Sequence, residues 1–210
     1  DGEILIKSNF GEWYSSSAPI LVGTHNVCDY QISGENIQPF HFIIFFSPQG
    51  PFIEELTHGR PGITVNGLNS IGSSPMKNDI TVSIGKLSIY IYLYGNMKEH
   101  CEELFKGLNP CAELALTPLS TKNATPIALP KTNERLSIGR LSECNIIIPD
   151  DPSISRLHAY INIRDKSLQL TDNNSHNKTY VNLKPISKKS VLPGDIIEFG
   201  DSSYLLHYQS

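Results

Sequence analysis

The chain has 210 residues, 39% hydrophobic and 18% charged, with a formal net charge of −4 at pH 7. That length allows one large domain or two of about 100 residues, and the apolar content can fill a core, which excludes a chain disordered by composition. The negative balance argues against a nucleic-acid partner, and no apolar run reaches the ~18 residues of a membrane helix.

The chain begins at Asp1 without a methionine and reads as a piece of something longer. Its four cysteines, Cys28, Cys101, Cys111 and Cys144, form no CxxC pair and no zinc-spaced set with histidine. They read as free thiols of a reducing compartment, which points to the cytoplasm or to the cytosolic part of a membrane-associated protein.

In chain order the first signals are LVGTHNVCDYQISGENIQPFHFIIFF, then GITVNG, then NDITVSIGKLSIYIYLYG. A helical pattern follows in NMKEHCEELFKGL, Asn96 to Leu108, with Met97, Cys101, Leu104 and Phe105 on one face and Gly107 near the end. After it the same order returns as SIGRLSECNIIIPDDPSISRLHAYINI, KTYVNL and GDIIEFGDSSYLLHYQ. Gly23 matches Gly139, Cys28 matches Cys144, His41 matches His158, Asn66 matches Asn182 and Asp79 matches Asp195, at offsets of 116 or 117 residues. Two repeats of such length mean two domains.

Within each repeat the elements read as strands. LQLTD alternates apolar and polar residues, HAYINI and SYLLHY have strand composition, and NIIIP suits a short buried strand. PDDPS, TDNNSHN and LPGD punctuate them as turns. The expected fold is all-β: two β-sandwiches joined by a short helical linker, with boundaries at 1–95, 96–110 and 111–210.

The chemistry concentrates in the second repeat, which carries net +1 over residues 111–210 against −5 over 1–110. SISRLH, Ser153 to His158, places a serine, an arginine and a histidine at a strand entrance. A nucleophilic serine would need an oriented base and an oxyanion device. Ser155 and His158 have neither a GxSxG elbow nor an identifiable oxyanion hole, so no enzyme activity is expected. His158, His176 and His207 are scattered and lack a carboxylate pattern, so neither a metal nor another cofactor is expected. An anion site fits better. Arg140 offers a planar guanidinium that can grip two phosphate oxygens. Ser155 adds a hydroxyl, Arg156 adds charge, and Asn177 has an amide that can donate and accept along an extended peptide. An ion pair of Arg140 with Asp150, Asp151 or Asp172 is the competing reading.

The ordered set Gly139-Arg140, Ser155-Arg156-Leu157-His158, Asn177-Lys178-Thr179-Tyr180-Val181-Asn182 and Leu192-Pro193-Gly194-Asp195-Ile196-Ile197-Glu198-Phe199-Gly200 resembles the forkhead-associated (FHA) domain. The resemblance covers nearly all of residues 111–210. It implies an approximately eleven-stranded β-sandwich that recognises phosphothreonine peptides through loops at one end. Carried over by position, Arg140 and Ser155 would bind the phosphate, and Arg156 and His176 would lie beside the phosphothreonine. Asn177 would hold the peptide backbone after it. His158 would brace the loops, with Gly139, Thr179 and Asn182 supporting the site. The family usually has glycine where this chain has Lys178, which implies a reshaped loop or a lysine held at positive φ.

The first repeat departs further: Thr24 stands for Arg140, Gln38 for Ser155, Pro39 for Arg156 and Pro61 for Asn177. His41 and the TVNG turn survive. Residues 3–95 therefore read as an FHA-like fold without its phosphate site, with FHFIIFF and LSIYIYLYG as core and sheet strands. The expected function is a phosphothreonine-dependent interaction module with a phosphothreonine-containing protein or segment as partner, and with neither nucleic acid nor direct membrane insertion. A phosphate-independent structural module, or the regulatory end of an enzyme or transport ATPase, are the alternatives.

Overall fold

Apolar residues at alternate positions give strands such as Ile80–Ile84 and Ser167–Asp172 one buried face, and near-continuous apolar runs give others, such as Phe42–Ser47, two. The computed structural model describes residues 2–57, 60–106, 114–130, 135–148, 151–164 and 167–208. The first strands are β1 (Glu3–Ser8), β2 (Gly11–Ser15), β3 (Ile20–Gly23), β4 (Tyr30–Gln31), β5 (Phe42–Ser47) and β6 (Gly50–Glu55). They continue with β7 (Ile63–Val65), β8 (Leu68–Ser70), β9 (Ser73–Pro75), β10 (Ile80–Ile84) and β11 (Leu87–Tyr94). After helix α1 (Met97–Leu104) come β12 (Leu114–Pro118), β13 (Ile127–Leu129), β14 (Arg135–Gly139), β15 (Ile146–Ile147), β16 (Ala159–Arg164) and β17 (Ser167–Asp172). The chain closes with β18 (Thr179–Val181), β19 (Lys184–Ile186), β20 (Lys188–Val191), β21 (Ile196–Phe199) and β22 (Ser202–Tyr208).

The chain divides into two units, Asp1–Asn109 and Pro110–Ser210. Each is a sandwich of one six-stranded and one five-stranded sheet. The first unit has the orders β2-β1-β11-β10-β7-β8 and β4-β3-β5-β6-β9, and the second has β13-β12-β22-β21-β18-β19 and β15-β14-β16-β17-β20. The two units are therefore identical strand for strand. The match extends to direction: β3–β4 and β14–β15 are parallel pairs in otherwise antiparallel ladders.

Each sandwich encloses its own core. In the first, Ile4, Ile6, Phe42, Ile44, Val82, Ile89 and Ile91 are among its fully buried side chains. In the second, Leu116, Ile138, Ile161, Leu170, Ile197 and Phe199 hold the same place. The FHFIIFF segment is core and sheet, with every residue of β5 buried. NIIIP differs from the buried strand its apolar run implies. Only Ile146 and Ile147 pair, β15 lies at a sheet edge, and Ile147 is 44% exposed. The alternation inherent to a strand sends Ile146 inward and Ile147 outward whatever their chemistry.

Helix α1 is shorter than the sequence pattern, and residues 107–108 lie outside the described residues. Asn96 caps it: its Oδ1 accepts the Glu99 N–H at 3.2 Å and its Nδ2 donates to Glu99 Oε2 at 3.1 Å. Met97 and Cys101 are buried in the first unit's core, with Leu104 and Phe105 against it. His100 Nε2 lies 2.8 Å from Ser16 O, and its ring sits edge-on to Phe46. The predicted apolar face is thus docked on the first sandwich.

Cys28, Cys101 and Cys144 are free and buried, and Cys111 lies outside the described residues. Burial pushes the thiols of Cys28 and Cys101 up to about 12, so neither is a nucleophile at neutral pH.

The Asn66–Gly67 and Asn182–Leu183 turns link β7 to β8 and β18 to β19 with positive φ at both central residues, the twist-matched two-residue hairpin. Each asparagine Oδ1 also accepts a cross-strand amide, from Thr81 at 2.8 Å and from Ile196 at 2.9 Å. Asn182 further donates to Asp195 Oδ1 at 2.8 Å, and Asp195 Oδ2 accepts the Leu192 N–H.

Candidate functional site

Three loops of the second unit meet at one end of its sandwich: β14–β15, β15–β16 and β17–β18. Gly139 lets the first two approach. A Cβ there would lie 2.2 Å from Arg156 O, closer than any side chain allows. Arg140 follows as the first residue beyond β14 and is exposed. Its Nε donates to Ile154 O at 2.9 Å. One edge of the guanidinium is thereby fixed, and the two terminal nitrogens have no partner among the described residues. No described carboxylate pairs with Arg140. Asp151 and Asp172 are engaged with serine and threonine hydroxyls instead, and Asp150 lies outside the described residues.

Ser155 is half-buried, and its Oγ accepts the His176 N–H at 3.1 Å. The hydroxyl proton remains available for a ligand. The neighbouring Asn177 is exposed and donates Nδ2–H to Ser153 O at 2.8 Å, and its Oδ1 has no partner among the described residues. Arg156 and His176 are exposed side chains flanking the same loops. All five predicted ligand residues therefore sit on two adjoining loops or at the end of β14.

His158 holds these loops together from beneath. It is fully buried. Nδ1 accepts the Ser155 N–H at 3.0 Å, so Nε2 carries the proton and donates to Lys178 O at 3.0 Å. Its ring packs edge-on against Phe199. Burial pushes its pKa below the ordinary histidine value, although the Lys178 carbonyl, Asp172 and Asp151 oppose this. The ring stays neutral and bridges two loop backbones. Lys178 keeps the usual glycine's geometry: its φ is +66°, and its carbonyl also accepts the Gly200 N–H. The lysine side chain costs about 1 kcal/mol in that conformation, and the loop retains its shape.

Asp151, Ser153, Asp172 and Ser175 take roles at this loop end that motif reading does not assign. Asp172 Oδ1 accepts the hydroxyls of Ser175 (2.5 Å) and Thr179 (2.7 Å), while Oδ2 accepts the Ser175 N–H (3.0 Å). Burial raises this carboxyl, but the bonds from Ser175 and Thr179 outweigh it and hold the pKa below the ordinary value. Asp151 does the same work for Ser153. The signal for both was local: an aspartate two or three residues before a serine marks an Asx-type turn.

The first unit repeats the frame without the predicted ligand groups. Gly23 approaches Pro39 O as Gly139 approaches Arg156 O. Cys28 and Cys144 each direct Sγ to that same carbonyl. His41 Nδ1 accepts the Gln38 N–H at 3.0 Å, and Nε2 faces Gly62 O at 3.4 Å. These bonds equate Gln38 with Ser155 and Pro61 with Asn177, as the order of the two repeats implies. Thr24, Pro39 and Pro61 replace the guanidinium fork, the flanking charge and the amide. Burial lowers the His41 pKa as it does that of His158, with Gly62 O and Glu55 opposing.

Residues 136–200 match the family model of the FHA domain. These residues are an FHA domain. The first unit, with the same strand order and the same histidine brace, is a degenerate FHA-like domain. Similar solved structures include an FHA domain from a study of phosphothreonine-dependent FHA interactions, at 26% identity and TM-score 0.42, covering 46% of this chain and 97% of that one. The FHA domain of a Chlamydia trachomatis protein is 21% identical at TM-score 0.39, covering 46% and 98%. The N-terminal FHA domain of S. cerevisiae Rad53p, solved with a phosphothreonine peptide, is 19% identical at TM-score 0.40, covering 46% and 93%. No curated protein matches the chain.

Proposed function

We propose that the FHA domain of residues 111–210 is a phosphothreonine-dependent interaction module, and that the degenerate first unit is a scaffold without phosphate recognition. The observation that carries this is the state of Arg140. Its Nε is spent on Ile154 O, which fixes one edge of a guanidinium whose two terminal nitrogens have no partner among the described residues, and Ser155 Oγ in the adjoining loop accepts the His176 N–H and keeps its own proton to donate. A phosphate brings a charge of about −1.5 to −2 and three acceptor oxygens, which such donors match. Asn177 then takes the main chain of the residue after the phosphothreonine, and Arg156 and His176 flank it. The ligand is a segment of a partner protein or of the same longer chain, and the module serves as the regulatory or scaffolding part of that protein.

The test is fluorescence anisotropy with degenerate peptide pools and the full chain. A phosphothreonine pool binds and its unphosphorylated twin does not. Equal binding of both pools would sink the reading in favour of a phosphate-independent interaction module.

A further inference from the structure

Two side chains at the site hang on neighbouring carbonyls of one loop. Arg140 Nε donates to Ile154 O, and Asn177 Nδ2 donates to Ser153 O. Asp151 ties down the residues that carry that pair of carbonyls. Asp151 Oδ1 accepts both the amide (2.8 Å) and the hydroxyl (2.5 Å) of Ser153, and the Asp151 carbonyl accepts the Ile154 N–H at 3.1 Å. Asp151 Oδ2 accepts the Ser202 hydroxyl, tying the loop to β22. Ser153 Oγ accepts the Asp201 N–H at 2.8 Å, and Gly200 presses so close that a Cβ there would lie 2.4 Å from that oxygen. Burial pushes the Asp151 carboxyl up, but the bonds from Ser153 and Ser202 outweigh it and keep it ionised at neutral pH. An ionised carboxylate only accepts. Both serine hydroxyls must therefore point at it, and this leaves Ser153 Oγ a lone pair for Asp201.

The first unit supplies an internal control. Gly34 stands in the place of Asp151: its carbonyl accepts the Ile37 N–H as that of Asp151 accepts the Ile154 N–H. Asn36 stands for Ser153. The counterpart of Gly200 is Gly85, at nearly the same φ, and a Cβ added there would meet nothing within 4 Å. The loop closes and the sandwich forms without the carboxylate. Among the described residues the network occurs in the unit that has an arginine and an asparagine to aim, and not in the other.

We propose that Asp151 is a positioning residue that sets Arg140 and Asn177 together, by fixing the Ser153 and Ile154 carbonyls on which both side chains hang. This rests on the phosphothreonine reading above for its ligand, but its geometry is testable without one. The experiment records side-chain 1H–15N signals of Arg140 Nε–H and Asn177 Nδ2 in the ligand-free full chain. It then measures affinity for the degenerate phosphothreonine pool.

In Asp151→Ala both signals shift, Arg140 Nε–H exchanges faster with solvent, and affinity falls about tenfold, the loss expected when charged ligand groups keep their identity but lose their aim. Asp151→Asn retains an oxygen for Ser153 and keeps both signals near their wild-type positions. Ser153→Ala keeps both carbonyls but drops the hydroxyl, and shows the same shifts with an affinity loss of about threefold. It serves where Asp151→Ala does not fold. A folded variant of either kind with unmoved Arg140 and Asn177 signals overturns the proposal, as does Asp151→Asn as damaged as Asp151→Ala. Wild-type chain that ignores the pool overturns the phosphothreonine reading instead, and the ligand-free signals still decide whether Asp151 aims the two side chains.

Discussion

The two units agree where the sandwich needs a particular atom and differ where a ligand would. Gly23 and Gly139 permit the same backbone approach, His41 and His158 bridge the same two loops, and Asn66 and Asn182 make the same hairpin turn. Thr24, Gln38, Pro61 and Gly34 stand where the second unit has Arg140, Ser155, Asn177 and Asp151. One molecule thus separates two kinds of motif residue that a single FHA domain would present mixed together. The histidine belongs to the first kind. A buried ring that accepts one backbone amide and donates to another loop's carbonyl is required by the fold, with or without phosphate.

Removing the shared histidine brace from each unit should have the largest effect. His158→Ala and His41→Ala should each destabilise their own unit by about 3–5 kcal/mol, because each removes a fully buried ring with the two hydrogen bonds that bridge the loops, and leaves a cavity. Chemical denaturation followed by NMR signals of each unit measures both. A large loss for one histidine and none for the other would mean that the units do not share a frame.

Arg140→Ala should weaken binding of the phosphothreonine pool by about 2–4 kcal/mol and leave the melting temperature unchanged, whereas Thr24→Ala should do neither. Unfolding of Arg140→Ala would point to an ion-pair role, with Asp150 as the remaining candidate. Titration of labelled chain with the pool should move signals around Arg140, Ser155 and Asn177. A saturable response around Thr24 would show that the first unit binds phosphate by another arrangement.

The histidines also predict a shared pH response. Both have folded pKa values below the ordinary ~6.5 of the unfolded chain. The unfolded state therefore binds more protons between the lowered pKa and 6.5, and stability falls as pH drops through that window. Asp151 and Asp172 have lowered values too, so their contribution is lost only below about pH 4, as pH falls through the folded values. Melting temperature against pH should show the first decline in both units and the second in the FHA domain. A flat profile from pH 7 to 5 would contradict the neutral, buried assignment of the two rings.

The smallest effect concerns Lys178. Replacing it with glycine at φ +66° should stabilise the FHA domain by about 0.5–1 kcal/mol. No change in the melting temperature would mean that the loop relieves the strain elsewhere.

Several features were determined by the sequence alone. The repeat is visible because residues with one permitted solution, Gly139, His158 and Asn182, recur in order with their counterparts, and spacing along a chain survives without three-dimensional information. Strand patterning is equally local, since each strand alternates its faces whatever it packs against. The same locality misled at NIIIP, where three isoleucines imply full burial and the strand period exposes the middle one. The docking of α1 was undecided in the sequence, because an amphipathic face states that something covers it and not what. The roles of Asp151 and Asp172 were decided only by tertiary structure. A carboxylate before a serine reads the same whether it pairs with an arginine or holds a turn. The choice depends on where Arg140 points, which is set by Ile154, fourteen residues away in the chain and 2.9 Å away in the fold.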